Sequence, residues 1–343
     1  MYLNGGWRTR CAGVLAIAAL GVPLAACGSD GDGGATSAGG PGGGEEVRVA
    51  LITGLRGLAF YTSMRCGAED AARELGGVEL SVQDPPQFNP SAQTPLVQGA
   101  VQRGIDGMVV VPTDPRAMGQ PIRTAMNRDV EVIAVDATLE PPITPQTIIT
   151  DNITAGRLAA RAMARAIGPR GGKVQIIGLN PAVTGNQQRV EGFQQEIEAN
   201  HPEIELLEVQ YNQTADQNRA ASQVAAAVRA NPDLRGIYTT NEASGVGAAS
   251  ALLSTGKRGE VQLISYDAGP QQVRGLKDGT YAALVVQKPY QLGYDGIKNL
   301  VGVLRGELDR AELERDVLVP PVIATRENVD DPEVARYLYV DKC

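Results

Sequence analysis

From Val47 onward, short apolar runs alternate with stretches of helical periodicity, and this alternation limits the fold more than any other feature of the chain. Val47-Arg48-Val49-Ala50-Leu51-Ile52 predicts a strand, followed by a Gly-rich turn. Met64, Ala68, Ala71, Ala72 and Leu75 then recur at helical spacing and predict a helix over 60–75, stopped by Gly76-Gly77. A strand over 78–82 comes next. Pro85, Pro86 and Pro90 mark a loop, after which Ser91 is expected to cap a helix running to Arg103. Gly107-Met108-Val109-Val110-Val111 is continuously apolar up to Pro112, the pattern of a strand buried on both faces of a parallel sheet. A helix over 117–128 and a strand over 132–135 complete a first set.

The pattern then restarts. A strand is expected at 147–150, with Asp151 or Asn152 capping a helix over 153–167. Further strands are expected at 173–177, 204–209, 236–239, 261–265 and 282–286. Helices are expected over 187–199, 215–230, 243–255, 271–277 and 290–305. The remaining C-terminal stretch, with Pro320-Pro321, reads as irregular. Strands alternating with helices make βαβ units, so the fold class is α/β with parallel sheets. Two similar sets in 343 residues predict two lobes, each with strand ends facing a shared cleft. Open α/β sheets bind ligands outside the carboxyl ends of their strands, which places any site in that cleft.

Several chemistries are excluded early. The formal net charge is −8 and no basic run occurs, so the chain does not read as a nucleic-acid binder. The single His, His201, stands beside Pro202 in a polar stretch, which removes His-based triads and His-rich zinc sites. Thr53-Gly54-Leu55-Arg56-Gly57-Leu58-Ala59 after the first strand and the pair Tyr294 and Lys298 resemble pieces of a short-chain dehydrogenase. The glycine spacing is wrong for cradling a pyrophosphate, and Tyr294 and Lys298 make an ordinary i,i+4 helix pair. Gly245-Val246-Gly247 lies inside an Ala-rich helical stretch and reads as helix packing. No catalysis, no cofactor and no metal site is expected.

A set of polar and aromatic residues just past strand ends points elsewhere. Phe60 and Tyr61 follow the first strand; Asp136, Asn241, Asp267 and Gln287 follow later ones; Arg189 is expected to start a helix after a loop. One such residue is an ordinary turn or cap residue. Six such places drawn from both halves converge on the cleft. Carboxylates accept hydrogen bonds, Arg donates a planar fork, and Asn and Gln do both, which matches the vicinal hydroxyls of a sugar. An aromatic face covers the apolar C–H face of a pyranose or furanose.

The N-terminus carries its own signal. Arg8 and Arg10 precede an uncharged stretch that Gly13, Gly21 and Pro23 make too short and broken to span a membrane. It ends in Leu24-Ala25-Ala26-Cys27, which resembles the lipobox of bacterial lipoproteins. The resemblance implies a diacylglyceryl thioether on Cys27, cleavage before it, and a protein tethered to the membrane outside the cytoplasm, in the cell envelope. Residues 1–26 then form the signal peptide and 27–46 a flexible Gly-rich tether. Cys11 would leave with the signal, so Cys66 and Cys343 remain as one pair in an oxidising space. A disulfide is expected there, the alternative being two thiols too far apart to bridge.

From Val47 to Asn328 the chain resembles the periplasmic sugar-binding proteins of ABC importers, the group typified by ribose-binding protein. The resemblance rests on Phe60-Tyr61-Thr62-Ser63-Met64-Arg65-Cys66-Gly67-Ala68, Asp151-Asn152, Arg189-Val190-Glu191-Gly192-Phe193-Gln194-Gln195, Tyr266-Asp267 and Gln287-Lys288-Pro289-Tyr290-Gln291-Leu292-Gly293. It implies two Rossmann-like lobes with parallel sheets joined by three hinge crossings, an N-terminal lobe of 47–149 plus 288–317 and a C-terminal lobe of 150–287 plus 318–328. Residues 329–343 would form a tail returning to the N-terminal lobe. Ligand contacts would fall on Phe60, Tyr61, Asp136, Arg189, Asn241, Asp267 and Gln287. The resemblance of Tyr337–Cys343 to the ending of long-tailed lipoprotein members supports the Cys66–Cys343 bond.

The departures from the ribose-binding pattern are Leu58 for a polar Asn, Ala137 for a second Arg, and Ala215 where many relatives carry an aromatic. They imply a more apolar, roomier pocket and point away from ribose itself. The implied protein is a monomeric, lipid-anchored substrate-binding protein that hands a monosaccharide or related polyol to an ABC permease with its ATPase. Two alternatives stand beside it: a sensory receptor presenting its ligand to a membrane kinase, and a cytoplasmic repressor of related fold. The repressor would need a helix-turn-helix where this chain has a secretion signal.

Overall fold

The computed structural model describes residues 46–343. The expected signal peptide over 1–26 and all of the expected tether over 27–46 but Glu46, Cys27 included, lie outside the described residues. The first part of the chain forms β1 (Val47–Ile52), α1 (Ala59–Leu75), β2 (Val78–Gln83), α2 (Pro90–Gln102), β3 (Gly107–Val110), α3 (Gly119–Met126), β4 (Glu131–Val135) and β5 (Thr147–Thr150). The second forms α4 (Asn152–Ile167), β6 (Gly172–Gly178), α5 (Thr184–Asn200), β7 (Ile204–Leu206), β8 (Gln210–Tyr211), α6 (Gln217–Ala230), β9 (Leu234–Thr239), α7 (Glu242–Ser254), β10 (Gln262–Tyr266), α8 (Pro270–Lys277) and β11 (Ala283–Val286). The chain closes with α9 (Pro289–Leu304), β12 (Asp316–Val319), β13 (Val322–Ala324) and α10 (Pro332–Ala335).

These strands make two sheets. The first has the order β12-β5-β4-β3-β1-β2 and is parallel throughout. The second has the order β13-β11-β10-β9-β6-β7, with β8 also on β6 and β13 alone antiparallel. Helix α4 packs on the second sheet and α9 on the first. The chain therefore crosses between lobes three times, at β5 to α4, β11 to α9, and β12 to β13. The inner strands are buried on both faces, as helices on each side of a parallel sheet require.

Local chemistry explains the element boundaries. Asp151 caps α4, its carboxylate accepting from the Thr154 N–H at 3.0 Å. Helix α2 is capped by Asn89 and not by Ser91: the Asn89 side chain accepts from the Ala92 N–H at 2.9 Å, and Pro90 holds the first helical position. Ser91 instead donates its hydroxyl to Asn89. The fully buried Gln93 of α2 ties two strand ends together, donating to the Thr53 and Val111 carbonyls and accepting from Thr113.

Three further expectations are corrected. The strand expected over 204–209 is two short pieces, β7 and β8, with a break at Leu207–Val209. Helix α5 begins at Thr184, so Arg189 sits in its second turn and does not start it. The C-terminal stretch is not irregular: β12 extends the first sheet and β13 the second, on either side of Pro320-Pro321. Both are edge strands, where proline is tolerated beside short pairings.

The C-terminal segment returns to α1 and is bonded there through a Cys66–Cys343 disulfide. Among the described residues no helix is long and apolar enough to cross a membrane.

Candidate functional site

The seven residues singled out in the sequence line one cavity of about 90 Å³ between the lobes. Phe60, Tyr61 and Asp136 come from the first lobe; Arg189, Asn241, Asp267 and Gln287 come from the second. Phe60 and Tyr61 open α1, with ring centroids 5.0 Å apart in an edge-to-face pair. Asp136 is the first residue past β4 and Asp267 the first past β10, which sets both carboxylates at the carboxyl ends of central strands. Asn241 serves also as the N-cap of α7, accepting from the Ser244 N–H at 2.9 Å.

Arg189 is the hub of the second lobe's contribution. It is 5% exposed, and its guanidinium lies 3.7 Å from the centre of the Tyr266 ring. It donates to Asn152 Oδ1 at 2.8 Å, to the Thr240 carbonyl at 2.8 Å and to Gln287 Oε1 at 3.1 Å. Gln287 passes the network on: its Nε2 donates to Asp267 Oδ1 at 2.7 Å, and its Oε1 accepts from Thr150 at 2.8 Å. Thr150 ends β5 of the first lobe, so this buried chain spans the crossing between lobes. Close helix packing sets where Arg189 can reach. A Cβ on Gly156 of α4 would run into the Arg189 carbonyl, and one on Gly192 of α5 would run into the Ile153 carbonyl.

The electrostatics are dominated by carboxylates in a dry setting. Burial, with Asp267 adding and Arg189 opposing, pushes Asp136 up to about 7. Burial pushes Glu242 up to about 8, with Asp267 and Asp341 adding to it. Asp267 is also raised by burial, although Arg189 and hydrogen bonds from Gln287, Tyr339 and the Glu242 N–H pull it back. Burial opposes the charge on Arg189, and Tyr266, Asp267 and Asp136 more than offset it, so its pKa lies above the ordinary value.

The cavity also has members that sequence reasoning did not single out. Leu55, Phe88, Leu179 and Val183 add apolar wall, together with Leu58 and Ala137, two of the three departures noted above. Ala215, the third of those departures, lines it with φ 53°, a left-handed conformation. Glu242 lines it too, and its Oε2 is buried without a hydrogen-bond partner. Phe88 carried a visible signal as one of only three Phe in the chain, set in the loop after β2. Tyr339 donates to Asp267 Oδ1 at 3.0 Å from the far end of the chain; nothing local in its sequence points there.

The dehydrogenase-like residues do not form a site. The Tyr294 hydroxyl donates to Glu74 Oε2 at 2.6 Å on an exposed helix face, and the Lys298 ammonium lies 5.9 Å from the Tyr294 ring centre. Gly245 and Gly247 are inside α7, where added Cβ atoms would meet Ser265 and the Gln217 carbonyl, so close packing accounts for them.

Comparison with known proteins agrees with this geometry. A family model described as periplasmic binding protein domain matches residues 49–308. The ribose import binding protein of Escherichia coli K12 is 28% identical over 271 residues, 78% of this chain and 88% of that protein. The xylitol-binding protein of Mycolicibacterium smegmatis is 26% identical over 325 residues, 94% of this chain and 87% of that protein. An ABC-transporter solute-binding protein from Agrobacterium vitis, solved with bound α-D-tagatopyranose, is 34% identical with a TM-score of 0.81. It covers 86% of this chain, which in turn covers 99% of it. A second protein of that organism, solved with D-fucose, is 28% identical with a TM-score of 0.78, covering 85% and 100%. These relatives are binding proteins and not enzymes, the ribose protein serving import and the two Agrobacterium vitis proteins ABC transporters.

Proposed function

Because this chain belongs to the periplasmic binding protein family, we propose that it binds a monosaccharide or related polyol between its lobes and delivers it to an ABC permease. The observation that carries the reading is the convergence of Asp136, Arg189, Asp267 and Gln287 with Phe60 and Tyr61 on one cavity fed by both lobes. A sugar hydroxyl donates to a carboxylate and accepts from a guanidinium, and the ring C–H face packs on an aromatic. The additional apolar wall from Leu55, Leu58, Phe88 and Val183 suits a ligand with a deoxy or otherwise apolar edge better than a fully hydroxylated pentose. Ligand contacts drawn from both lobes favour the closed arrangement, which is how a ligand shifts a hinge equilibrium. The permease then reads the closed shape.

The same reading makes Cys27 a lipid anchor and residues 27–46 its tether, holding a non-enzymatic carrier at high effective concentration beside its membrane partner. The test is calorimetry of the mature protein against D-ribose, D-tagatose, D-fucose, D-arabinose and xylitol, with amino acids and short peptides as the opposing panel. Saturable heat from at least one sugar or polyol is expected. Binding of an amino acid or peptide with no sugar response would replace the ligand class. For the anchor, Cys27→Ala is expected to move the protein from the membrane fraction to the soluble one, and unchanged membrane retention would remove the lipid.

A further inference from the structure

The C-terminal tail does more than close the chain. Tyr339 is 4% exposed and sits between the lobes. Its ring meets Phe60 edge-on with centroids 5.6 Å apart, on the first-lobe side. Its hydroxyl donates to Asp267 Oδ1 at 3.0 Å and accepts from the Gln287 N–H at 3.2 Å, on the second-lobe side. Its own N–H donates to the Ala268 carbonyl at 3.1 Å. The next residue turns back to the first lobe, where the Val340 N–H donates to Ser63 Oγ at 2.9 Å. Three residues later the Cys66–Cys343 bond fixes the tail to α1. Phe60, Ser63 and Cys66 lie on α1, so the tail is anchored along the helix that supplies the cavity's aromatic pair.

Two of the residues Tyr339 holds are cavity residues, and Tyr339 does not itself line the cavity. Asp267 has one oxygen facing Gln287 and Tyr339 and the other accepting from the Glu242 N–H at 2.8 Å. Its carboxylate therefore has its plane set by three donors, one of them supplied by a tail that a disulfide keeps in place. Removing that donor leaves the carboxylate with one donor on each oxygen, a looser hold on its plane, and leaves the Gln287 N–H without its acceptor. Buried polar groups lose more from a missing partner than they gain from a present one.

We infer that Tyr339 is a positioning residue for ligand binding, orienting Asp267 and Gln287 from a strap that the Cys66–Cys343 bond locks across the two lobes. The inference rests on the cavity being the ligand site. It makes the tail a fourth connection between lobes, in addition to the three crossings, and the only covalent one formed after the chain is made among the described residues.

The test uses the mature full-length chain with Tyr339→Phe, which removes one hydroxyl and keeps the ring on Phe60. Two readouts are taken. One is the 13C titration of the Asp267 carboxyl in the ligand-free protein, where the lost hydrogen bond is expected to raise the midpoint, since Tyr339 pulls it down in the native arrangement. The other is affinity for whichever of D-tagatose, D-fucose, D-ribose and xylitol binds the wild type, expected to fall about tenfold. The double variant Cys66→Ser/Cys343→Ser, which frees the strap, is expected to move both readouts the same way, and it decides the matter should Tyr339→Phe not fold. An unchanged Asp267 titration together with unchanged affinity overturns the inference. If no sugar binds the wild type, the sugar reading fails, and the Asp267 titration alone still decides whether the strap positions that carboxylate.

Discussion

Asp136 and Asp267 occupy matching places in the two lobes: each is the first residue past a central strand, and each has a left-handed backbone, with φ 65° and 75°. Side chains other than glycine rarely adopt that region, and Asp tolerates it better than most because its short polar group can hydrogen-bond locally. The turn swings each carboxylate off the strand axis and into the cavity that Arg189 also lines. Each lobe thus delivers one acid to the cavity by the same backbone device, and the strain of doing so is held at the cavity wall.

Replacing Asp267 separates charge from conformation. Asp267→Asn keeps a residue that tolerates the left-handed turn but weakens the acceptor for Gln287, Tyr339 and the Glu242 N–H. Asp267→Ala also removes all three partners' acceptor. Calorimetric sugar affinity is expected to fall by about 1.5–3 kcal/mol for Asn and by about 2–5 kcal/mol for Ala. Losses under about 0.5 kcal/mol in both variants would place the ligand elsewhere.

The raised carboxyls set a pH dependence of stability. Asp136 at about 7 and Glu242 at about 8 hold their protons in the folded chain at pH values where an unfolded chain has lost them. The folded state binds more protons across this window, so stability falls as pH rises from about 4 to about 8. Carboxylates whose pKa is lowered by hydrogen bonds and ion pairs, such as Glu196 with Arg161 and Asp70 with the Tyr290 hydroxyl and Arg73, act in the opposite direction at lower pH. The contribution of the cavity pair is therefore read by difference. In thermal melts of the ligand-free protein from pH 5 to 8.5, Asp136→Asn and Glu242→Gln are expected to flatten the decline. Wild-type and variant curves running parallel would show that neither acid is protonated in the folded state.

The parts of this architecture visible in the sequence are those written locally. Gly107–Val111 reads as a strand buried on both faces, and Asp267 stands directly after the apolar run of β10, because burial in a parallel sheet leaves a continuous apolar signature. The short edge strands β12 and β13 leave no such signature: Val317 and Leu318 face partly outward, and Pro320-Pro321 between them signals a loop. The cap of α2 falls on Asn89 and not on the expected Ser91, because Ser91 suits a helix start equally well in the sequence and only Pro90 at the first helical position settles the cap on Asn89. Tyr339 and Glu242 join the cavity region through contacts 72 and 25 residues away in sequence, to Asp267 in both cases, which no local pattern encodes.

Close helix packing behind Arg189 gives a third prediction. Helices α4 and α5 approach at Gly156 and Gly192, where a methyl would meet backbone carbonyls that cannot rotate away. Gly156→Ala must push α5 outward and carry Arg189 with it, lengthening its bonds to Asn152 and Gln287. A stability loss of about 1–3 kcal/mol is expected from overpacking, with weaker sugar binding beside it. Chemical denaturation paired with calorimetry reads both. A variant as stable as wild type with unaltered affinity would show that the two helices have room to separate without moving the guanidinium.

The Cys66–Cys343 bond closes a loop across 277 residues of sequence, nearly the whole described chain. Chain-entropy reasoning puts the stabilisation of so long a loop at about 5 kcal/mol as an upper figure, with measured values for native bonds commonly about 2–5 kcal/mol. Non-reducing peptide mapping is expected to find the two cysteines linked, and free thiols at both positions would remove the bond from the account. Cys66→Ser and Cys343→Ser should each lower the denaturation midpoint by the same amount as the double variant, since either one opens the loop. The strap adds a second expectation. The bond keeps Tyr339 seated on Phe60 and Asp267, so part of what Tyr339 contributes is already lost once the bond is gone. Combining Tyr339→Phe with the double Ser variant should therefore cost less than the two changes measured apart, a coupling that a double-mutant cycle resolves at about 0.5 kcal/mol or more. Strict additivity would mean that Tyr339 stays in place without the disulfide and that the bond acts on the unfolded chain alone.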